Sequence, residues 1–129
     1  MDTQIDPVKT ILFIDQDTVQ LNFLVPFLEQ KNFKVLIRGD FLAGISLGIE
    51  AKPDIIFVNY LLPDLRGTAV SRIFKYTPQT KNIPIILLYT PAETGDFNIQ
   101  EKFKLFGAAG VFLKPISATK LLAKIKNYL

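Results

Sequence analysis

Five short apolar runs punctuate the chain: TILFI (10–14), KVLIR (34–38), DIIFV (54–58), PIILLY (84–89) and GVFL (110–113). Most are continuous and rich in Ile, Val and Phe, the pattern of strands covered on both faces. Between them, Thr18 to Lys31, Asp40 to Ala51, Thr68 to Tyr76 and roughly 98 to 106 carry helical spacing, and Ala118 to Leu129 closes the chain with another such segment. Strand then helix, repeated to the end, predicts an α/β fold with right-handed crossovers. The sheet is five-stranded and parallel, with helices on both faces. At 129 residues the chain is sized for a single domain, 1–129, with about residues 1–9 as an N-terminal extension.

Local signals support the helices and mark two weak points. Asp17 and Ser117 stand where N-caps belong, and Gly107 follows a helix end. Pro26 falls inside the first helix, where it removes a backbone hydrogen bond and predicts a kink. Gly44 and Gly48 lower the intrinsic stability of the second, which must then be held by packing.

The absences are as informative. Without cysteine there is no disulfide framework and no thiolate metal site, and without histidine the commonest general base and zinc ligand are gone. No apolar run approaches the roughly 18 residues of a membrane span. The opening MDTQIDPVKT has no apolar core and is not a secretory signal. A cytoplasmic protein with no membrane partner is expected. The net charge of +3 is modest, but six lysines (102, 104, 114, 120, 124, 126) face one acid, Glu101, between Phe97 and Leu129. That bias suits either a solvated helical face or a surface for an acidic partner. Nucleic acid is the disfavoured partner, because no aromatics interleave at a base-stacking spacing.

In an open parallel sheet, ligands bind outside the carboxyl ends of the strands. The residues there are Asp15, Gln16 and Asp17 after the first run, Asn59 after the third, Tyr89 and Thr90 after the fourth, and Lys114 with Pro115 after the fifth. Each has a plain structural role open to it. Asp15 can pair with Lys114, Asp17 can cap a helix, Asn59 can hydrogen-bond at a strand end, and Tyr89 can pack its ring and turn its hydroxyl outward.

Taken in order, ILFIDQD, PDIIFVNYLLPDLRG, NIPIILLYT and GAAGVFLKP resemble the receiver domain of two-component response regulators over essentially the whole chain. The resemblance implies a (βα)5, flavodoxin-like fold and a place in phosphorelay signalling, with no enzymatic activity of its own. It also implies that an aspartate ends the third strand and is phosphorylated by a histidine kinase. Two acids after the first strand would help bind magnesium. A Thr or Ser after the fourth strand and a Lys before proline after the fifth would contact the phosphoryl group, and a cis Lys114–Pro115 bond belongs to the same pattern.

Asp15, Lys114 and Pro115 match. Gln16 replaces the second acid, Asn59 the phosphoacceptor, Tyr89 the Thr/Ser, and Val111 falls where many receivers carry a switch aromatic. The fourth loop and helix run about three residues longer than the common pattern. The pattern is that of a pseudo-receiver. An amide cannot form the acyl phosphate that a carboxylate can, and magnesium binding is expected to be lost or very weak with two carboxylates replaced.

The resemblance places partner binding on the face of the fourth helix, fifth strand and fifth helix. Candidate residues are Lys102, Val111, Lys120, Lys124 and Tyr128, and the partner is a histidine kinase, an output protein or a second copy of the chain. Ile99, Phe103 and Phe106 form a core stripe on the fourth helix, and the last helix has more apolar surface than one stripe needs, with Tyr128 expected at the edge. That excess could instead pack against the long fourth loop. Two further functions stay open. One is a flavodoxin-like flavin or nucleotide binder, against which the first loop, DQDTVQ, lacks a Gly- and Ser/Thr-rich phosphate cradle. The other is a basic nucleic-acid module.

Overall fold

The computed structural model describes residues 7–94 and 99–129. Strands β1 (Lys9–Ile14), β2 (Phe33–Arg38), β3 (Ile55–Asn59), β4 (Ile85–Tyr89) and β5 (Gly110–Leu113) form one sheet in the order β2-β1-β3-β4-β5. Every neighbouring pair is parallel, with Phe13 opposite both Ile37 and Phe57, and Asn59 opposite Leu88. The helices are α1 (Thr18–Gln30), α2 (Phe41–Ala51), α3 (Gly67–Tyr76), α4 (Pro91–Thr94), α5 (Ile99–Leu105) and α6 (Ala118–Tyr128).

Alternation along the strands explains the two layers. Ile11, Phe13, Ile55, Phe57, Ile86 and Leu88 point to one face, where Leu21, Leu24 and Leu28 of α1 and Leu121 and Ile125 of α6 cover them. Leu12, Ile14, Ile56, Val58, Ile85 and Leu87 point to the other, under Val70 and Phe74 of α3 and Phe103 of α5, with Ile45 and Leu47 of α2 beside them. Both faces of β3 are therefore sealed, and all five of its residues are buried, Asn59 included. Phe13 and Phe57 stack across the strand pair with centroids 5.0 Å apart.

Pro26 does not end α1. It is exposed, as is Asn22, whose carbonyl loses its helical donor, while Leu24 and Leu28 on the inner face remain buried. The glycines of α2 have a tertiary cause. A Cβ at Gly44 would lie 2.7 Å from Ile14 Cδ1, and one at Gly48 would lie 2.6 Å from Phe74 Cε1. Their helix-weakening effect is accepted where the helix must close on β1 and α3. Asp40 caps α2 by accepting from the Ala43 amide at 2.8 Å.

One boundary differs from the sequence expectation. A single helical turn, Pro91–Thr94, directly follows β4 before α5 begins. Its first residue is a proline, which suits the first position of a helix. Asn98 lies outside the described residues, and so does the side chain of Ile99. Of the stripe expected on α5, Phe103 is buried and Phe106 half-buried. Pairing of β1 with β2 begins at Lys9. No helix among the described residues is long and apolar enough to cross a membrane.

Candidate functional site

The carboxyl ends of β1, β3, β4 and β5 open onto one mouth. Asp15 is held there from three sides. Its amide donates to the Arg38 carbonyl at 2.9 Å, its Oδ1 accepts from the Asp17 amide at 3.0 Å, and its Oδ2 meets Lys114 Nζ at 2.9 Å. The side chains of Asp15 and Lys114 are 1% and 9% exposed, so this is a buried ion pair. Asp17 is a helix cap first, accepting from the Gln20 amide at 3.2 Å, and its second oxygen lies 3.8 Å from Lys114 Nζ. Lys114 itself is anchored by its amide, which donates to the Tyr89 carbonyl at 2.8 Å, and the Lys114–Pro115 peptide is cis.

Asn59 and Gln16 make a second arrangement beside the first. The Nδ2 of Asn59 and the Nε2 of Gln16 both donate to the Leu61 carbonyl, each at 2.8 Å, and Asn59 Nδ2 also lies 3.4 Å from Gln16 Oε1. Turning either amide over would set two oxygens against each other, so one backbone carbonyl orients both side chains. Asn59 Oδ1 is buried without a hydrogen-bond partner in the protein. The loop bearing Leu61 is itself closed by a bridge between Leu61 and Arg66 and by the Gly67 amide on the Tyr60 carbonyl at 2.8 Å. A Cβ at Gly67 would sit 2.4 Å from the Asn59 carbonyl oxygen, so only glycine lets α3 start this close to β3. The Tyr60 amide is spent on the Leu88 carbonyl at 2.7 Å.

The chain next to this mouth alternates sides. Leu88 belongs to the α1/α6 layer, while Tyr89 packs into the opposite one, with its ring edge-on to Phe103 at 5.7 Å. Phe103 also meets Tyr60 at 5.5 Å, and the Arg66 guanidinium lies 5.7 Å from the Tyr60 ring. Thr90 then turns back and lines the open pocket at the mouth with Asp17, Lys114 and Pro115. A hydroxyl-bearing residue thus lines the mouth one position after Tyr89. The same pocket is walled by Val19 and Phe23 of α1, which are 82% and 67% exposed.

Magnesium would need several hard oxygen ligands in octahedral geometry. Here both oxygens of the buried carboxylate are engaged, and the Leu61 carbonyl receives two N–H donors from the side chains that would otherwise offer anionic oxygens. The residues present do not fit the ion. As a nucleophile, Asn59 offers only an uncharged amide oxygen, whose neighbouring nitrogen is delocalised and already donating.

A model of the response regulator receiver domain family matches residues 11–126. The chain belongs to that family. The polar-differentiation response regulator DivK of Brucella anthropi is 24% identical over 121 residues, covering 94% of this chain and 96% of its own. Among solved structures, a putative response regulator from Chloroflexus aurantiacus superposes with a TM-score of 0.85 at 23% identity, covering 95% of this chain and 98% of its own. A receiver domain from a sensor histidine kinase of Pseudomonas aeruginosa, which has magnesium coordinated in its active site cleft, superposes at 0.82 with 20% identity, covering 95% and 98%. The five-stranded receiver fold is thereby shown, and family membership favours neither a flavin binder nor a nucleic-acid module.

In this receiver domain the expected partner face lies across α5, β5 and α6. Lys102 and Lys120 are exposed, and Val111, Lys124 and Tyr128 are half-buried. Tyr128, expected at the edge of this face, is half-buried. Its ring packs on the α1/α6 layer, and its hydroxyl donates to the Ala109 carbonyl at 3.1 Å. The reason is Gly110, where a Cβ would stand 2.6 Å from that hydroxyl. Among the described residues, the large exposed apolar groups of this region are Leu105, Leu113 and Leu129. Sequence reading also missed the Leu61 carbonyl, since a backbone acceptor carries no residue-type signal.

Proposed function

We propose that this receiver domain is a phosphorylation-independent interaction module in two-component signalling. The observation that carries the proposal is the Asn59 amide at the end of β3, donating to the Leu61 carbonyl where a phosphoacceptor carboxylate would have to stay free. The buried Asp15–Lys114 pair supports it, because the cation that would meet a phosphoryl group is neutralised by the one buried carboxylate of the mouth. On this proposal the domain acts in the cytoplasm, without magnesium and without catalysing a reaction. It binds a histidine kinase, an output protein or a second copy through the α5–β5–α6 face. That face keeps one arrangement, since Tyr89 is packed against Phe103 and Val111 has no ring to swing.

Labelled acetyl phosphate with magnesium tests the proposal directly. The expected result is no stable incorporation and no change in the amide spectrum. Stable incorporation at any residue would overturn it.

A further inference from the structure

A cavity of about 180 Å³ opens between α5 and α6 over β5. Its floor is made by small residues, Ala108, Gly110 and Val111, and its walls by Phe103 and Tyr128. Lys104 and Lys124 stand in its lining as well. We propose that this cavity is the anchor site for one aromatic side chain of an acidic partner segment. The inference rests on the interaction module proposed above and names the chemistry of its partner.

The volume is the first reason. A cavity of about 150 Å³ lined by apolar side chains takes a benzene ring. The space is therefore of the size that one phenyl or phenol group needs. The floor explains why the space exists. Gly110 cannot carry a Cβ because of the Tyr128 hydroxyl, and Val111 beside it lines the space. The half-buried Tyr128 ring in its lining offers the stacking and edge contacts that aromatic side chains prefer.

Charge is the second reason. Among the described residues, neither Lys104 nor Lys124 forms an ion pair. Along the outer edge of β5 the groove continues past Val111 and Leu113 to Lys120 and Lys124. A ligand ring entered from this side is flanked by ammonium groups, so carboxylates on either side of the aromatic residue are complementary. Among the described residues the exposed aromatics are Phe23, with no acid among its neighbours in sequence, and Tyr76, which lies beside Lys75 with Arg72 at 5.9 Å from its ring, so neither supplies that pattern from a second copy.

The probe is acetyl-Glu-Glu-Phe-Glu-Glu-amide, titrated into the ¹⁵N-labelled protein without phosphodonor. Saturable shifts centred on Gly110, Val111 and Tyr128 are expected. Replacing the peptide's Phe by Ala should weaken binding about tenfold or more, the effect of losing one buried ring. Val111→Phe, which fills the cavity from its floor, should do the same, and Lys104→Glu with Lys124→Glu provides a surface variant should that core change disturb the fold. Equal binding of the Phe and Ala peptides would reduce the site to a basic patch and overturn the anchor. So would shifts confined to other faces, or none either before or after acetyl phosphate treatment. Binding that appears only after acetyl phosphate treatment would keep the anchor and refute phosphorylation independence, so the two proposals fail separately.

Discussion

Replacing Lys114 by methionine tests the energetic logic of the mouth. Asp15 is 1% exposed at its side chain, and Lys114 is the cation within contact distance of it, at 2.9 Å. With the ammonium gone, the carboxylate keeps one donor, the Asp17 amide. Breaking a buried pair by removing one partner typically costs about 3–5 kcal/mol, because the remaining charge stays desolvated. For a domain whose total stability is of order 5–15 kcal/mol, that loss is severe. Removing the carboxylate as well should recover most of it. In Asp15→Asn with Lys114→Met no buried charge is left, and the pair should cost well under the sum of the two single changes. Asp15→Asn alone should cost less than Lys114→Met, since the freed ammonium has Asp17 3.8 Å away with a side chain 42% exposed. Urea unfolding of the four proteins gives the cycle, with equal m-values as the check that each unfolds alike. A Lys114→Met protein within about 1 kcal/mol of wild type would show that Asp15 finds other compensation, and the buried-pair account would fail. If millimolar magnesium restored that variant's stability, the claim that the mouth does not fit the ion would fail with it.

Three further outcomes follow from the same geometry. Gln16→Asp with Asn59→Asp rebuilds a three-carboxylate mouth with Asp15 and should gain measurable magnesium binding by calorimetry. Phosphorylation-dependent shifts across α5 and α6 should still be missing, and their appearance would refute the roles given to Tyr89 and Val111. Gly48→Ala should destabilise by about 1–3 kcal/mol despite alanine's better helix propensity, because its Cβ meets a fully buried Phe74 ring. Gly48→Ala with Phe74→Leu should recover part of that loss in thermal unfolding. Tyr128→Phe should cost about 0.5–1.5 kcal/mol for the hydrogen bond to the Ala109 carbonyl. A neutral change in urea midpoint would mean that the hydroxyl is held only by water.

How much of this was legible in the sequence depended on whether the physical cause was local. The strands could be read from DIIFV and its fellows because a strand buried on both faces must be apolar at every position, and β3 is. The caps at Asp17 and Ser117 could be read because a cap bonds an amide three residues away. The second helix looked weak because propensity counts Gly44 and Gly48 against it, whereas the contacts that need them, with Ile14 and Phe74, come from distant parts of the chain. Pro91 at the start of α4 was a local signal and could have been used. The convergence of Asp15, Gln16, Asn59 and Lys114 followed from topology alone. Which donor met which acceptor did not, because the decisive partner of both amides is the main chain at Leu61. The partner of the Tyr128 hydroxyl was not legible for a similar reason, being a backbone carbonyl across the top of a glycine.

The tight junction between β3 and α3 bears on the chemical ageing of the protein. Asparagine side chains convert spontaneously to aspartate when the amide nitrogen of the following residue attacks the side-chain carbonyl and closes a five-membered imide. At Asn59 that conversion would install the very carboxylate the mouth lacks. The attacking atom, the Tyr60 nitrogen, is held at 2.7 Å on the Leu88 carbonyl, and Gly67 is packed against the Asn59 carbonyl oxygen so closely that a single added carbon would collide with it. Ring closure needs the nitrogen deprotonated and swung off its partner, and it needs the backbone to pivot where there is no room to do so. The amide at position 59 is therefore shielded from the clock that converts exposed asparagines, and an old molecule carries the same group at the mouth as a new one.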